Sequence, residues 1–270
     1  MSIIRKLNGH SGCNIELREN SRGKYVRKTS GSTKYNDRLE KQMLKQKGFC
    51  PSSNTIKTPK IYDCGINNGL FYFDMEYING ISLNKYMSFN SKKDIDFIIL
   101  EIFLFIQNNG ERKHVNIVDE MEKKILNISS LVQGIDEKYI NYCLKYDWSM
   151  VESGFCHGDL TFENVLIYKG KIYLIDFLDS FVNTNIIDYS KLLQDMLIMW
   201  SWRNQRKKPF IKNIFLYEQL KSFVGKEKFE LIKRMLILNL LRIFPYAKNK
   251  DTKFFLENSL NHLSGKFYIS

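Results

Sequence analysis

The 270-residue chain is predicted to have an α+β fold in two lobes, with a β-rich first third followed by a mostly helical remainder. Three observations support this. Short strand-like segments and turn residues fill the chain up to Gly80, broad apolar helical patterns dominate from Asn84 onward, and one pair of strand-like segments interrupts the helical part. We therefore expect lobes at residues 1–79 and 80–270 with a cleft between them.

The first lobe is predicted to be a small antiparallel sheet with one main helix. The segments "SIIRKLNG", "CNIELREN" and "KYVRKTS" have strand character, and the turn-prone "SRG" separates the last two. Two further strands in "KIYDCGINNGLFYFDMEYINGISL" are joined by a turn at Asn67 to Gly69. Between the two groups, "YNDRLEKQMLKQKG" has a helical pattern that ends at Gly48.

The second lobe is predicted to be larger and mostly helical. The segment "KKDIDFIILEIFLFIQNNG" has a broad apolar face, and further helices are expected at about 117–131 and 136–146. After the interrupting strand pair, the chain is again helical from about Asp188, for example in "IIDYSKLLQDMLIMWSW" and "KFELIKRMLILNLLRIF". This lobe would carry both acidic strand ends described below.

The composition is that of an ordinary globular protein, with 44% hydrophobic and 26% charged residues. The longest apolar stretches are far shorter than the ~20 residues that span a bilayer, and the start has no signal-peptide core. We expect a cytoplasmic protein without membrane insertion. The five cysteines are scattered without zinc-ligand spacing, so neither a disulfide nor a structural metal is expected.

Two acidic clusters stand at the edges of apolar strand-like runs. In "HGDLTFENVLI", Asp159 is followed five residues later by Asn164 and then by a strand, and "KIYLIDFLD" brings a second strand that ends in Asp176. A hairpin-like pair of these strands would deliver the three side chains to one place. Carboxylate and amide oxygens suit Mg²⁺, which also takes phosphate oxygens as ligands. The cluster therefore predicts phosphoryl transfer.

His-Gly-Asp-x-x-x-x-Asn followed by Ile-Asp-Phe resembles the catalytic and metal loops of the aminoglycoside phosphotransferase and choline kinase family, small-molecule kinases with a protein-kinase-like fold. The resemblance implies that Asp159 is the catalytic base, that Asn164 and Asp176 bind Mg²⁺, and that His157 is structural. Gly158 stands where protein kinases carry Arg, and "DFLD" replaces their Asp-Phe-Gly.

The segment "NGHSGCNIEL" resembles the turn over the nucleotide phosphates in this family. Gly9 and Gly12 would permit close backbone approach, Ser11 could donate to a phosphate, and Cys13 is the small residue that opens the next strand. A reactive thiol at Cys13 is not expected.

Strand alternation in "YVRKTS" puts Val26 and Lys28 on one face. The resemblance implies that Val26 covers the adenine and that Lys28 reaches the α- and β-phosphates. The usual partner of such a lysine is a carboxylate on the next helix. Glu40 is the best candidate, and Asp37, three residues earlier, is its rival.

The segment "FDMEYINGISL" resembles the hinge of this fold. Backbone groups around Glu76, Tyr77 and Ile78 would pair with the adenine edge. Asp188 is expected to be an N-cap or an anchor of the catalytic loop.

The substrate side is the least defined part of the sequence. The four residues that could line an acceptor site are Asp179, Trp200, Trp202 and Arg203, and packing against the preceding helix is the alternative for the two tryptophans.

The resemblance implies an ATP- and Mg²⁺-dependent kinase that phosphorylates a hydroxyl of a small molecule, such as a sugar, an amino alcohol or an antibiotic. The scarcity of acidic residues near the end of the chain favours a neutral or anionic acceptor. The alternatives are a protein Ser/Thr-type kinase and a catalytically weak kinase-like binding module. The sequence leaves open ATP versus GTP and the oligomeric state.

The formal net charge of +12 could indicate nucleic acid, an anionic membrane surface or a polyanionic substrate. The excess is spread along the chain, and "WRNQRKKPFIK" is the only dense basic run. A protein that handles nucleotide phosphates needs no further partner to explain this charge, so no nucleic-acid partner is expected.

Overall fold

A computed structural model of the chain describes residues 2–7, 12–49, 53–132, 134–247 and 249–269. The chain divides into two compact units. The first consists of Met1–Tyr86, His157–Asp159 and Glu163–Asp179, and the second of Met87–Cys156, Leu160–Phe162 and Ser180–Ser270. The two acidic segments thus group with the sheet-rich first unit, whereas the sequence placed them in the helical lobe. The lobe boundary near residue 80 stays a prediction.

The main sheet of the first unit has five strands, all paired antiparallel in the order β1-β2-β3-β6-β5. Their bounds are β1 Ser2–Leu7, β2 Cys13–Asn20, β3 Gly23–Ser30, β5 Ile61–Asn67 and β6 Leu70–Glu76. Asn68 and Gly69 have φ angles of 50° and 75°, which are the left-handed conformations that a two-residue hairpin turn requires. The predicted Asn-Asn-Gly turn is therefore confirmed.

One face of this sheet is covered by helix α1, Asn36–Lys47, which Gly48 ends as predicted. The buried side chains of α1 include Leu39 and Met43, spaced four residues apart on one helical face. They form a core with Val26 of β3 and Phe73 of β6. This core fixes which face of α1 and which face of β3 point inward.

A second, four-stranded sheet in the first unit has the order β4-β11-β10-β7. Its strands are β4 Ile56–Lys57, β7 Ile81–Ser82, β10 Val165–Tyr168 and β11 Lys171–Leu174. β10 and β11 form the antiparallel hairpin that the sequence predicts, with Val165 opposite Leu174. The hairpin therefore brings the end of one acidic segment beside the start of the other.

The second unit is mostly helical. The helices that follow α1 are α2 Leu83–Phe89, α3 Lys92–Asn108, α4 Val118–Leu131, α5 Lys138–Leu144, α6 Ile186–Ile198, α7 Phe210–Val224, α8 Lys226–Ile243 and α9 Lys250–Phe267. Two short strands, β8 Gly110–Val115 and β9 Val151–Gly154, pair antiparallel and were not predicted. Among the described residues, the helices are all too short or too polar to cross a membrane.

The predicted α+β architecture is thus confirmed, with an antiparallel sheet and one helix in the first part and a mostly helical second part. The helical bounds agree with the sequence pattern to within a few residues. α5 is shorter than predicted and ends at Leu144. Tyr146 lies beyond the helix, and its ring packs 5.0 Å from that of Trp148.

We predict that Gly31→Ala lowers stability by about 1–3 kcal/mol. A β-carbon at Gly31 would lie 2.6 Å from the backbone oxygen of Gly12, which already accepts a hydrogen bond from the Gly31 N–H at 2.9 Å. The matched control is Gly265→Ala in α9, where nothing lies within 4 Å of the added carbon. This variant should gain up to about 1 kcal/mol of stability. Urea titrations of both variants measure the difference, and equal midpoints would contradict the prediction.

Candidate active site

Asp159 and Asn164 are held together by the loop that precedes β10. The loop ends in a short 3₁₀ turn, Phe162–Asn164. The amide Nδ2 of Asn164 donates to the backbone oxygen of Asp159 at 2.8 Å and to its carboxylate at 3.1 Å. Two residues that are five positions apart in the sequence are thus joined by two hydrogen bonds.

These bonds fix the orientation of the Asn164 amide. Because Nδ2 donates to both acceptors of Asp159, the amide oxygen Oδ1 is turned away from that residue. The backbone oxygen of Asn164 accepts from the Ile175 N–H at 3.0 Å, which ties the loop to the end of the neighbouring strand. Oδ1 is therefore the atom of this amide that could bind a cation or accept a hydrogen bond.

Asp176 follows β11 after one residue and has a left-handed backbone with φ of 63°. For a residue other than glycine this conformation costs about 1–3 kcal/mol, and such strain is concentrated at functional sites. Gly158, in the first acidic segment, has φ of 90°, which side chains rarely adopt and which explains a glycine there.

Lys28 points from β3 to Asp176, and its Nζ lies 2.5 Å from Oδ1 of that carboxylate. Only 4% of Lys28 is exposed, whereas Asp176 is half-buried. A buried ammonium without a counter-charge is costly, so the pair is a strong constraint on both side chains. Lys28 and Val26 share the buried face of β3, as strand alternation predicts, while Arg27 points the other way and pairs with Asp74 at 2.6 Å.

His157 is a buried structural residue between the two acidic segments. Its Nε2 lies 2.8 Å from the Ile175 backbone oxygen, and its Nδ1 accepts from the Asp159 N–H at 3.3 Å. Burial lowers the pKa of His157 to about 4, against the smaller opposing effect of the Asp159 and Asp176 charges. The ring is therefore neutral at pH 7, with its proton on Nε2.

The segment after Asp176 is fixed at several atoms. The ring of Phe177 packs against His157 at a centroid distance of 4.2 Å and against Phe49 at 5.3 Å. The Leu178 N–H donates to the His157 oxygen at 3.0 Å, and its carbonyl accepts from Lys45 Nζ of α1 at 2.7 Å. Lys45 is a residue that sequence reasoning missed, since an exposed-looking helix lysine gives no signal for such a contact.

The predicted partner of Lys28 on α1 is not the one found in the structure. Glu40 and its rival Asp37 are both exposed, because the inward face of α1 is set by Leu39 and Met43. Two glutamines, Gln42 and Gln46, lie on the buried side of the helix instead. Lys28 pairs with Asp176 rather than with Glu40.

Part of the predicted phosphate loop can be placed. A β-carbon on Gly12 would lie 3.2 Å from the ring of Tyr35, so this glycine permits a close approach of chain and ring. Cys13 begins β2 opposite Ser30. Gly9 and Ser11 lie outside the described residues.

The predicted hinge residues come at the end of β6. Glu76 is the last residue of the strand, and its N–H donates to the Lys60 oxygen at 2.8 Å. Tyr77 is half-buried and Ile78 is buried. They follow the strand without regular secondary structure.

In the second unit, a buried carboxylate holds the residues that separate Asp159 from Asn164 in the chain. Asp195 of α6 accepts from the Phe162 N–H at 2.6 Å, from the Ser201 N–H at 2.7 Å and from the Ser201 hydroxyl at 2.9 Å. Asp188, which the sequence predicts as an N-cap or an anchor of the catalytic loop, is buried in the first turn of α6, but Asn185 is the N-cap residue, so the N-cap alternative is wrong. Asp195 is a loop anchor that sequence reasoning missed.

Three of the weak acceptor candidates lie in the second unit, in or directly after the 3₁₀ turn Trp200–Trp202. Trp202 is buried and its ring packs edge-on against Phe162 at 5.9 Å. The guanidinium of Arg203 lies over the ring of Trp200 at 4.4 Å. Asp179 is exposed at the end of the first unit.

The donor set of the first unit fits a hard cation that is shared with a phosphate ligand. Asn164 Oδ1 and the Asp176 carboxylate are oxygen donors of the kind that Mg²⁺ takes, and two protein ligands leave positions for water and phosphate oxygens. Among the described residues, no three His, Cys, Asp or Glu side chains gather into a metal site.

No protein-family sequence profile and no curated protein sequence matches the chain. Solved structures do. A mutant of aminoglycoside 2′-phosphotransferase IIIa in its GDP complex has a TM-score of 0.70 and 17% identity, over 99% of this chain and 94% of that one.

Two further structures are similar over 97% of this chain. Amicoumacin kinase in complex with AMP-PNP, Ca²⁺ and Ami has a TM-score of 0.63 and 14% identity, with 88% of that chain covered. A putative fructosamine-3-kinase from Haemophilus somnus 129PT has a TM-score of 0.55 and 14% identity, with 92% covered. The chain therefore has the protein-kinase-like fold of these phosphotransferases, as its motifs predict.

We predict that stability falls with acid because of His157. Its folded pKa of about 4 lies below the ordinary value of 6.5, so the unfolded chain binds the proton more readily. Stability from this group is complete above about pH 6.5 and decreases as the pH falls towards 4, by up to about 3 kcal/mol. His157→Gln keeps a donor for Ile175 but cannot take up this proton. In urea titrations at pH 7 and pH 4.5, the variant should therefore lose less unfolding free energy between the two pH values than the unsubstituted protein. Parallel pH dependences of the two proteins would contradict it.

Proposed function

We propose that the chain transfers the γ-phosphoryl group of ATP to a hydroxyl of a small molecule. The observation that carries the proposal is the pairing of the four motif residues within one unit. Lys28 contacts Asp176 at 2.5 Å, and Asn164 contacts Asp159 at 3.1 Å. The fold similarity to three small-molecule kinases supports the same reaction class.

Asp159 is the proposed catalytic base. One oxygen of its carboxylate accepts from Asn164, which restricts the orientation of the side chain. The acceptor hydroxyl would lose its proton to Asp159 as its oxygen attacks the γ-phosphorus, and the bond from that phosphorus to the bridging oxygen of ADP would break. Positioning of the reactants supplies most of the rate enhancement in this mechanism.

Lys28, Asn164 and Asp176 are the proposed residues for the triphosphate and its metal. When bound, Mg²⁺ would neutralise charge that develops on the phosphate oxygens. Lys28 would move from its ion pair with Asp176 to the α- and β-phosphates, leaving the carboxylate to the metal. Two of the similar structures are complexes with GDP and with AMP-PNP and Ca²⁺, which supports a nucleotide with a divalent cation.

The remaining nucleotide contacts are proposed from the positions of the other motif residues. Val26 lies on the same buried strand face as Lys28 and is proposed to cover the base. The irregular segment after β6, at Glu76, Tyr77 and Ile78, offers backbone groups for the adenine edge. Gly12 and Cys13 would border the phosphates.

We propose a neutral or anionic acceptor, such as a sugar or a metabolite, rather than a polycationic one. Residues 201–270 contain 15 Lys and Arg against 5 Asp and Glu. A cationic acceptor would need several carboxylates to replace its hydration, and this part of the second unit offers few of them. The similar structures are an aminoglycoside phosphotransferase, an amicoumacin kinase and a putative fructosamine-3-kinase, so proteins of this fold differ in acceptor.

We predict that Asp159→Asn lowers phosphotransfer by about a hundredfold to ten-thousandfold, because the amide cannot accept the proton of the hydroxyl. Nucleotide affinity should change little, since Asn keeps an oxygen that can accept from Asn164. A coupled ADP-release screen over hydroxylated metabolites, sugars and antibiotics identifies the acceptor, with Asp159→Asn as the blank. An acceptor turned over equally by both proteins would refute the assignment of the base.

We predict that Asp176→Asn weakens binding of Mg·AMP-PNP at least about tenfold, because one metal–carboxylate contact is lost. Asp179→Asn is the matched control, since it removes an equal charge three residues further on at an exposed position. Calorimetric titrations with and without Mg²⁺ measure the AMP-PNP affinity of both variants. If the two variants bind as the unsubstituted protein does, Asp176 has no part in the metal site.

A further inference from the structure

Helix α3 carries an apolar stripe on its exposed side. Its inner side, which includes Ile99 and Ile102, is buried. The outer side nevertheless carries Phe97, Leu100 and Leu104, exposed by 57%, 48% and 37% and spaced so that they lie along one face. A surface helix normally presents polar residues to solvent, so an apolar stripe on the outer side of α3 is unusual.

Helix α7 carries a second stripe of the same kind. Leu216 and Leu220 are buried, while Ile211, Ile214 and Phe215 point outward with exposures of 72%, 59% and 46%. We call the six exposed side chains of both stripes the α3–α7 surface.

The two stripes belong to one continuous face. The Nζ of Lys92, the first residue of α3, lies 3.9 Å from the centroid of the Phe215 ring. Lys212 of α7 donates to the backbone oxygens of Met87 at 2.7 Å and Asn90 at 2.9 Å, just before α3. Between the helices runs a groove of about 410 Å³, lined by Asp96, Phe97, Leu100, Phe103, Gln219, Ser222 and Phe223.

Basic residues outnumber acidic ones around this face, since residues 92–108 and 203–224 contain eight Lys and Arg against four Asp and Glu, of which Asp96 lines the groove. The chain from Arg203 to Phe215 contains five Lys and Arg and no Asp or Glu, and Arg206 and Lys207 are exposed. On α3, Lys92 and Lys93 are exposed at the N-terminal end. The nearby Asp94 accepts from the hydroxyl of the N-cap Ser91 at 2.6 Å, so this carboxylate is engaged in capping.

We propose that the α3–α7 surface binds the surface of an anionic lipid bilayer. Exposed Phe and Ile beside clustered Lys and Arg are the combination that lets a protein insert side chains at the boundary of headgroups and acyl chains while its cations contact anionic lipid. The protein lies on the membrane and does not cross it. The basic run from Arg203 to Lys212 and the exposed apolar side chains thus act on the same partner.

The test is sedimentation of the full chain with vesicles of phosphatidylcholine alone or with about 30% phosphatidylglycerol. Binding is expected only to the anionic vesicles and should weaken as salt rises. Ile211→Ser with Ile214→Ser should reduce the partition coefficient at least about tenfold. The matched control is Ile66→Ser with Leu126→Ser, which removes side chains of equal exposure, 72% and 59%, elsewhere on the molecule.

Three outcomes would overturn the proposal. The first is no sedimentation with anionic vesicles at low salt, and the second is equal loss in both double variants. The third is a concentration-dependent doubling of mass without lipid that only the Ile211 and Ile214 variant abolishes, since the surface would then join two copies of the chain. None of these measurements needs nucleotide or acceptor, so they stand apart from the phosphotransfer assays.

Discussion

The ion pair between Lys28 and Asp176 joins parts of the chain that are 148 residues apart. Lys28 is almost fully buried on the inner face of β3, where an ammonium without a counter-charge would cost several kcal/mol. Strand β3 and the end of β11 are therefore constrained to one relative position within the first unit. The same pair places a cation and an oxygen donor side by side, and in the proposed function these groups would bind a phosphate and its metal.

Around this pair, backbone hydrogen bonds fix the two acidic segments before any ligand arrives. Neutral His157 bonds to Asp159 on one side and to Ile175 on the other, and Phe177 packs on its ring. Phosphoryl transfer depends mainly on positioning and charge, so for the proposed reaction these backbone bonds would reduce the reorganisation of the two acidic segments. The left-handed backbone at Asp176 is retained because these contacts determine it.

Sequence reasoning predicted what depends on local chemistry. The hairpin turn at Asn68 and Gly69 follows from residues that tolerate positive φ, and the shared face of Val26 and Lys28 follows from strand alternation. It failed where packing between distant segments decides. The rotation of α1 leaves Glu40 exposed, and the contact of Asp195 with the Phe162 N–H was not predicted, because only the folded chain determines which carboxylate meets that donor. The β8–β9 pair has no alternating pattern to reveal it.

The most direct test of the account is a crystal structure with AMP-PNP and Mn²⁺, in which the anomalous signal locates the metal independently of the protein model. We expect a peak about 2.2 Å from both Asn164 Oδ1 and an Asp176 oxygen, with Lys28 Nζ turned to the α- and β-phosphates. A metal bound away from these two side chains, or a nucleotide that leaves the Lys28–Asp176 pair unchanged, would contradict the central claim that these residues form the phosphate and metal site.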